Sequence, residues 1–578
     1  MSTNKSAEVP LGKRTRSSKA CTACRQMKLK CDAMEQFPSP CSRCKKSGNF
    51  CEIDRNFQRE RKRRAEGSKE AQVANLSSIP EILTPQSQIS PLIPPVNHIP
   101  AKPDEESRLP PIEAKDEIIS GTTISGDRIV LMYHMFITHY YRFLPILPLE
   151  YVNPAAISTD CPLLFWCICS IVAPSCAPDL VTVIHENVRY LVSTVYLTHY
   201  MFKPFTALSN VCALVLLCHW PLSHKTIQED ASWTYCGLAT HMALQIGLHR
   251  SKFIEEYAVA SVTSRNASKM KLLTWLGCFL VNQLNADFHG IPSSASLDYS
   301  YIPDPAQYEQ DEHVSDFIKR VKILHALKKG IDILGTPDGI IKTGALPLLH
   351  RSLEDSFSQL LAEISPLSDL AELTYLHAKL QLHSFLLTPD VPVSEQRNAI
   401  IPTYLVCIQH IQIVKRMLDK DPRCRYWPFF IVTNVLIASV VLFKLAISQF
   451  REMIDQDVAR NHIADSFTLL RKLTLHQEDM AARGIRLIEG IKSMYEEKLI
   501  SPQICSVKTR LGAGIFTSTL LEFKKWQSMK TPNQEPTPGG SQAAAAPAVP
   551  GQSTMWPFFD LMSFDDFWNA EFWPEPIP

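Results

Sequence analysis

The chain has 578 residues, of which 45% are hydrophobic and 20% are charged, and its formal net charge is +1. This composition is ordinary for a globular protein that buries a large core. Its 17 cysteines do not by themselves indicate a disulfide scaffold. Residues Met1–Gly12 lack the apolar run of a secretory signal, so we expect a reducing compartment, where clustered cysteines favour metal binding.

The small net charge hides a strong segregation of charge along the chain. Residues 13–64 hold 16 Lys/Arg and 5 Asp/Glu, whereas residues 554–578 hold five carboxylates and no Lys/Arg. A basic head and an acidic tail predict two different partners, a polyanion at one end and protein at the other.

Composition divides the chain into six segments. Nine prolines between Pro80 and Pro111 favour extended, solvated chain and mark the first linker. The predicted segments are a basic, disordered N-terminus at 1–19, a cysteine-rich module at 20–54, a basic run and proline-rich linker at 55–125, a globular region at 126–527, a second linker at 528–553 and an acidic-aromatic tail at 554–578.

The module repeats one cysteine half-motif, C-x2-C-x6-C, twice. Its six cysteines are Cys21, Cys24, Cys31, Cys41, Cys44 and Cys51. Each zinc ion prefers four tetrahedral ligands, so six thiolates hold two ions only if two of them bridge. The repeat predicts that Cys21 and Cys41, the first cysteine of each half, are the bridges. A mononuclear zinc ribbon is the alternative, and it leaves Cys31 and Cys51 without a role.

Residues Ala20–Asp32 and Pro38–Lys46 resemble the fungal Zn(2)-Cys(6) binuclear-cluster transcription factors. Within that family the cluster most resembles those of the yeast leucine-biosynthesis and weak-acid-response regulators. The resemblance implies two zinc ions, a nuclear location and regulation of genes transcribed by RNA polymerase II.

The resemblance also implies how the module reads DNA. In this family the helix of the first half-motif, here Arg25–Lys30, enters the major groove, and Lys28 reads the guanines of a CGG triplet. Met27 stands where the family often has a basic residue. The change is harmless if that position contributes a backbone contact, and it loses one contact if the charge touches phosphate. Other basic residues are assigned to phosphates, with solvated surface charge as the alternative for each: Arg25, Lys30, Arg43, Lys45 and Lys46.

One triplet carries little sequence information, and most of the family reads two triplets as a homodimer. Residues 55–78 form no convincing heptad, so the homodimer is implied by the resemblance alone. The basic runs Lys13–Arg16 and Arg59–Arg64 are of the nuclear-import type, with phosphate contact or plain solvation as alternatives.

From about residue 126 apolar residues recur three and four apart, which predicts an all-α domain. The clearest helical segments are Leu180–Tyr200, Ala207–His219, Ser232–Ile246, Lys269–Leu284, Leu370–Leu386, Ile401–Met417 and Ser466–Tyr495. The apolar stretch Trp427–Phe443 is short for a membrane span, so we expect a buried core helix and no membrane association.

Residues Ser232–Arg250 resemble the signature helix of the fungal transcription-factor middle domain. Gly237 suggests a close helix approach, and Gly247 suits a helix C-terminus. The resemblance implies a regulatory domain that helps dimerisation and, in some relatives, senses a small-molecule effector. His219, His241 and His249 are expected to be structural or surface residues, and the cysteines outside the module to be buried hydrophobes. Redox sensitivity of Cys167, Cys169 and Cys176 is the alternative.

No dinucleotide, phosphate-loop, serine-hydrolase or zinc-protease motif is visible, so we expect no enzymatic activity. Two other classes stay open. A metabolite-sensing or scaffold protein would use the cluster for protein contact, and a hydrolytic zinc enzyme would need an open coordination position.

The tail interleaves acidic residues with eight Phe/Trp, a pattern typical of a disordered activation segment that binds coactivators. Docking of the tail onto the helical domain is the alternative. The predicted anchors are Trp556, Phe559, Phe564, Phe567, Trp568, Phe572 and Trp573.

Overall fold

The computed structural model divides the chain into two compact units, residues 1–95 and residues 96–578. A small cysteine-centred N-terminal unit and a large helical unit confirm the predicted fold class. The structure describes residues 21, 24, 30–36, 39–47 and 51 of the first unit, and residues 112–195, 204–222, 230–250, 253, 265–298, 300–335, 345–475 and 479–530 of the second. The predicted linkers and tail anchors lie outside these ranges, apart from residues 112–125 of the first linker and residues 528–530 of the second, which end the last helix instead.

The described residues of the N-terminal unit include the short helices α1 (Ala33–Gln36) and α2 (Ser42–Ser47). Among the described residues of this unit, the buried ones are almost all sulfur-bearing: Cys21, Cys24, Ala33, Cys41 and Cys44. Thiols clustered in this way can stabilise a small module through a shared metal ion.

The second unit opens with an antiparallel hairpin of β1 (Glu117–Ile119) and β2 (Thr122–Ile124), in which Ile118 faces Thr123. Ser120 and Gly121 have φ of 49° and 80°, which suits a tight two-residue turn. The hairpin lies in the segment that composition assigned to the proline-rich linker. It forms there because Ile119 and Ile124 are buried against the helical core.

The other regular secondary structure in the described part of this unit is helical, as the periodicity predicted. They are α3 (Gly126–Met135), α4 (Pro154–Ile157), α5 (Pro162–Cys176), α6 (Val181–Val195), α7 (Pro204–His219), α8 (Ser232–Gln245), α9 (Arg265–His289), α10 (Glu312–Leu334), α11 (Leu346–Ile364), α12 (Asp369–Phe385), α13 (Val393–Lys420), α14 (Phe429–Ile447), α15 (Gln456–Leu473), α16 (Met480–Glu496) and α17 (Gly514–Lys530).

Helix α14 runs through the core and packs against α13, α15, α16 and α17. By length and composition it could cross a membrane, but 83% of its most apolar window is buried inside the protein's own packing. The prediction of a buried core helix at Trp427–Phe443 is therefore confirmed.

Two local predictions around the signature helix α8 have different outcomes. The helix ends as predicted, because Ile246 is its last partly helical residue and Gly247 follows with φ of 76°. The predicted close approach at Gly237 is wrong, since a Cβ there would meet no atom within 4 Å. Burial of Ala239 and Met242 shows that the helix packs on the neighbouring stripe instead.

The prediction of one helical segment at Ser466–Tyr495 is also wrong, because α15 ends at Leu473 and α16 begins at Met480. Asp479 causes the break. Its side chain accepts hydrogen bonds from the backbone N–H groups of Ala482 and Leu475, at 2.8 and 2.6 Å, and so caps α16.

The eleven cysteines of this unit are buried or, for Cys176, half-buried, as expected of small hydrophobes. Burial raises the pKa of the Cys167 and Cys169 thiols well above the ordinary value, so their reactive thiolate forms are scarce. The redox alternative therefore lacks support at these two residues. His219 is buried, His249 is half-buried and His241 is exposed.

Candidate metal and DNA-binding site

Local backbone geometry presents the cysteines of the second half-motif on one side of α2. Cys41 directly precedes the helix, and its carbonyl oxygen accepts a hydrogen bond from the Lys45 N–H at 2.9 Å. The Cys44 N–H donates to the Cys41 sulfur at 3.4 Å. One turn of helix therefore brings both thiols of the C-x2-C pair to the same point.

Sulfur–sulfur distances match those around a shared metal ion. Cys21 Sγ lies 3.9 Å from Cys41 Sγ, 3.7 Å from Cys44 Sγ and 3.6 Å from Cys31 Sγ. Cys24 Sγ lies 3.9 Å from Cys41 Sγ. Ligands at about 2.3 Å from a tetrahedral zinc ion are about 3.8 Å apart, so the thiols already have the required spacing.

The six sulfurs form two overlapping groups of four. One group is Cys21, Cys24, Cys31 and Cys41, and the other is Cys21, Cys41, Cys44 and Cys51; within each, all sulfurs lie within 4.8 Å of one another. Cys21 and Cys41 belong to both groups, which is the arrangement that two ions with two bridging thiolates require. Cys31 and Cys51, idle in a mononuclear site, each complete one group.

The two halves of the module also repeat their hydrogen bonds. The Cys21 N–H donates to the Cys31 sulfur at 3.4 Å, and the Cys41 N–H donates to the Cys51 sulfur at 3.2 Å. Such bonds stabilise a thiolate more than a thiol. The repeated pattern holds the third cysteine of each half beside the first.

Burial and hydrogen bonding act in opposite directions on the thiols. Burial raises the pKa of Cys21 and Cys24, and raises that of Cys44 to about 12. The hydrogen bond from the Cys44 N–H lowers the pKa of Cys41 to about 6. Thiolates crowded this closely need a positive counter-charge, and a soft divalent cation with sulfur ligands suits the donor set.

Asp32 joins the two halves, a role that the sequence did not reveal. Its carboxylate accepts from the Ser42 N–H at 3.0 Å and from the Ser42 hydroxyl at 2.5 Å. The hydroxyl bond is the main cause that holds the pKa of Asp32 below its usual range. Asp32 follows the last cysteine of the first half-motif and Ser42 follows the first cysteine of the second, so the link fixes the end of one half against the start of the other.

Four of the basic residues predicted to contact DNA are exposed: Lys30, Arg43, Lys45 and Lys46. Lys45 and Lys46 lie in the last turn of α2, where their charge also suits the helix dipole. Lys28 and Arg25, the predicted base reader and its neighbour, lie outside the described residues. The tail anchors lie outside them as well.

Comparisons with known proteins match both units. Residues 19–60 match the fungal Zn(2)-Cys(6) binuclear cluster domain, and residues 132–382 match the fungal specific transcription factor domain. No solved structure matches the chain.

Three curated relatives show how far the similarity extends. The putative transcription factor SEF1 of Eremothecium gossypii is 24% identical over 582 residues, which span 78% of this chain and 54% of that protein. The transcriptional regulatory protein SEF1 of Candida albicans is 25% identical over 644 residues, spanning 95% of this chain and 67% of that protein. The regulatory protein LEU3 of Saccharomyces cerevisiae is 23% identical over 588 residues, spanning 82% of this chain and 65% of that protein.

The chain thus spans about half the length of the first of these relatives. Both matched domains occur in the order that the sequence predicted, with the cysteine module before the helical domain. The thiol geometry fits the first domain, and the helical architecture fits the second. The chain carries a fungal Zn(2)-Cys(6) binuclear cluster domain, followed by a fungal specific transcription factor domain.

Proposed function

We propose that this chain is a nuclear, zinc-dependent regulator that reads CGG triplets in double-stranded DNA and activates transcription by RNA polymerase II. The observation that carries the proposal is the pair of overlapping four-sulfur groups beside exposed basic side chains. Residues 20–54 act as the DNA reader, residues 126–527 as the regulatory domain, and residues 554–578 as the activation segment.

In this proposal the cysteines hold two zinc ions, with Cys21 and Cys41 bridging. Bound zinc supplies the stability that the module's small core does not. The chain's own residues then hold the two halves in register, through the repeated N–H···S bonds and the link between Asp32 and Ser42. A rigid module holds a lysine of the first half in a fixed position relative to the base edges in the major groove.

Phosphate contacts and base contacts have different roles, since the first raise affinity for any DNA and the second provide sequence specificity. Lys30, Arg43, Lys45 and Lys46 are exposed and suit phosphates, which strengthen binding to any sequence. Lys28 is assigned to guanine O6 and N7, which specify the triplet. A homodimer would read two triplets.

Substitution of single lysines tests this division of roles. Lys28→Ala should abolish the preference for CGG while the zinc content stays unchanged. Lys45→Ala, the matched control, should weaken binding to all sequences alike and reduce the salt dependence by about one phosphate contact. Unchanged preference in the Lys28→Ala protein with full zinc content would refute the proposed reading of DNA and favour a scaffold role.

The effector part of the proposal draws support from a cavity of about 150 Å³ in the helical domain. Its lining includes Tyr140, Trp220 and the buried Arg483. The buried Trp427 indole N–H also lines it and donates to no acceptor among the described residues. A cavity of this size holds a ligand of about six to ten heavy atoms.

A thermal-shift screen of small metabolites tests the effector site. A true ligand should raise the unfolding temperature of the wild-type protein and leave that of the Trp427→Phe variant much less changed. An equal shift in both proteins would place the ligand elsewhere.

The activation segment is tested by its removal. Deleting residues 554–578 should reduce transcription from a reporter with CGG triplets while DNA binding is kept, because coactivators lose the aromatic anchors. Unchanged transcription would refute an activating tail, and increased transcription would instead support its docking on the helical domain.

A hydrolytic zinc enzyme fits the geometry of the cysteine module poorly. Catalytic zinc keeps one position open for water, whereas the two four-sulfur groups would fill all four positions around each ion.

A further inference from the structure

A second cluster of metal-binding side chains lies in the helical domain, between α11 and α12. It consists of His350 and Glu354 on α11 and His383 on α12, and we name it the His–Glu cluster. His350 and Glu354 are four residues apart, so they share one face of their helix. Lys379 and His383 have the same spacing on α12, and Lys379 forms an ion pair with Glu354.

Side chains of this cluster converge on one point. One nitrogen from each histidine and one oxygen of Glu354 lie within 4.8 Å of one another. His350 Nε2 is 3.2 Å from His383 Nδ1, and His383 Nε2 is 3.8 Å from Glu354 Oε1. His383 can offer only one ring nitrogen to an ion. With Nε2 as that nitrogen, its distance from Glu354 Oε1 is close to the roughly 3.4 Å between nitrogen and oxygen ligands of a tetrahedral zinc ion. A rotation of the His350 ring, which gives up its hydrogen bond with His383 Nδ1, would then complete the geometry.

Two buried polar atoms in the cluster lack partners. His383 Nε2 and Glu354 Oε1 have no hydrogen-bond partner among the described residues, although His383 is only 3% exposed. Their 3.8 Å separation is too long for a hydrogen bond. Buried polar groups are nearly always satisfied, so two unsatisfied atoms that face each other indicate a ligand between them.

The surroundings of the cluster leave ligand atoms directed at one another. His350 and His383 are both buried, and a neutral imidazole offers one nitrogen lone pair to a metal ion. Lys379 binds Glu354 through its other oxygen, Oε2. This leaves Oε1 directed at the histidines, as the outer partner of a ligating carboxylate does.

We propose that His350, Glu354 and His383 bind one divalent transition-metal ion of the zinc type, which ties α11 to α12. Two imidazoles and one carboxylate select such an ion over calcium or magnesium, which prefer oxygen ligands alone. Glu354 is partly exposed, so the ion can enter from solvent and keep water at its fourth position. This site is independent of the cysteine module.

Counting zinc ions tests the proposal. Full-length protein, dialysed against micromolar zinc and analysed by atomic emission, should hold three ions per chain, two in the module and one here. His383→Ala should hold two, and the exposed control His241→Ala should hold three. Three ions in the His383→Ala protein, or two in the wild type with a fully loaded module, would overturn the site.

Two further variants test metal binding at the His–Glu cluster independently of protein folding and of zinc binding by the cysteine module. Glu354→Gln keeps the shape of the side chain, so a folded Glu354→Gln protein that has lost one ion supports ligation; one that keeps the ion contradicts it. The double variant Cys24→Ser/Cys44→Ser should lose module zinc yet still bind one cobalt ion, with visible absorption that lacks thiolate-to-metal charge transfer. A cobalt site with thiolate bands alone would contradict the proposal.

Discussion

The cysteine module and the helical domain are stabilised by different kinds of interaction. In the part of the module that the structure describes, the buried side chains are four cysteines and one alanine, whereas the helical domain buries a continuous apolar core around α14. Metal–ligand bonds are few and strong, and hydrophobic contacts are many and weak. The module should therefore unfold completely when a zinc ion is lost. Single substitutions in the helical domain should instead lower its free energy of unfolding by small steps.

Loss of a cysteine that both zinc ions share should have the largest effect on stability, and it should separate the module most clearly from the helical domain. Cys41→Ala should release both zinc ions, because its sulfur belongs to both four-sulfur groups, whereas Cys51→Ala should release one. Structural zinc contributes about 10–16 kcal/mol to folding, so the module should unfold in the Cys41→Ala protein. Zinc analysis and DNA binding measure both effects; equal zinc loss in the two variants would contradict the shared sulfur.

A buried cation in the helical domain should have the next largest effect. The side chain of Lys444 is fully buried, donates to the Ser501 carbonyl at 2.9 Å and lies 3.3 Å from Glu522. Lys444→Met should lower the free energy of unfolding by roughly 3 kcal/mol, because Glu522 loses its counter-charge. Lys420→Met, which breaks an exposed pair with Asp369, should cost less than about 1 kcal/mol. Equal losses in chemical denaturation would contradict the difference in burial.

Two helical glycines should respond to alanine in opposite directions. A Cβ at Gly490 on α16 would overlap the buried ring of Phe523, so Gly490→Ala should destabilise the domain by roughly 1–3 kcal/mol. A Cβ at Gly237 meets nothing within 4 Å, so Gly237→Ala should stabilise it by about 0.5–1 kcal/mol. Denaturant unfolding measures both, and the same sign for both variants would show that packing does not decide the effect.

The link between the half-motifs should have the smallest effect. Asp32→Ala should speed the transfer of zinc to a chelator a few-fold, because the two hydrogen bonds from Ser42 are lost. The lowered pKa of Asp32 means that the link is complete at neutral pH and is lost as the pH falls below about 4. Ser42→Ala removes the hydroxyl bond alone, so it should speed zinc transfer less than Asp32→Ala does. An unchanged transfer rate in both variants would show that the module is rigid without the link.

The sequence predicted the parts that depend on short spacing. The positions of six cysteines gave the half-motif and suggested Cys21 and Cys41 as the shared pair, and the structure brings those two sulfurs within 3.9 Å. Gly247 was likewise readable because the residue after a helix often needs positive φ. In each case the chemistry acts over a few neighbouring residues.

Features that depend on contacts between residues far apart in the sequence were either predicted wrongly or not predicted at all. Gly237 was assigned to a close approach because glycine spacing does not reveal which stripe of a helix meets its neighbour. The His–Glu cluster joins residues 33 positions apart, His350 and His383, and only the pairing of α11 and α12 brings them together. The sole signals were two four-residue spacings, which are common on any polar helix face.

Selection of binding sites from random DNA, with and without a zinc chelator, tests the central claim most directly. The full-length protein should enrich paired CGG triplets, and the chelator should abolish the enrichment. A single enriched triplet would keep the reader and remove the homodimer. No enrichment by protein whose module holds two zinc ions would contradict the account of this chain as a DNA-reading regulator.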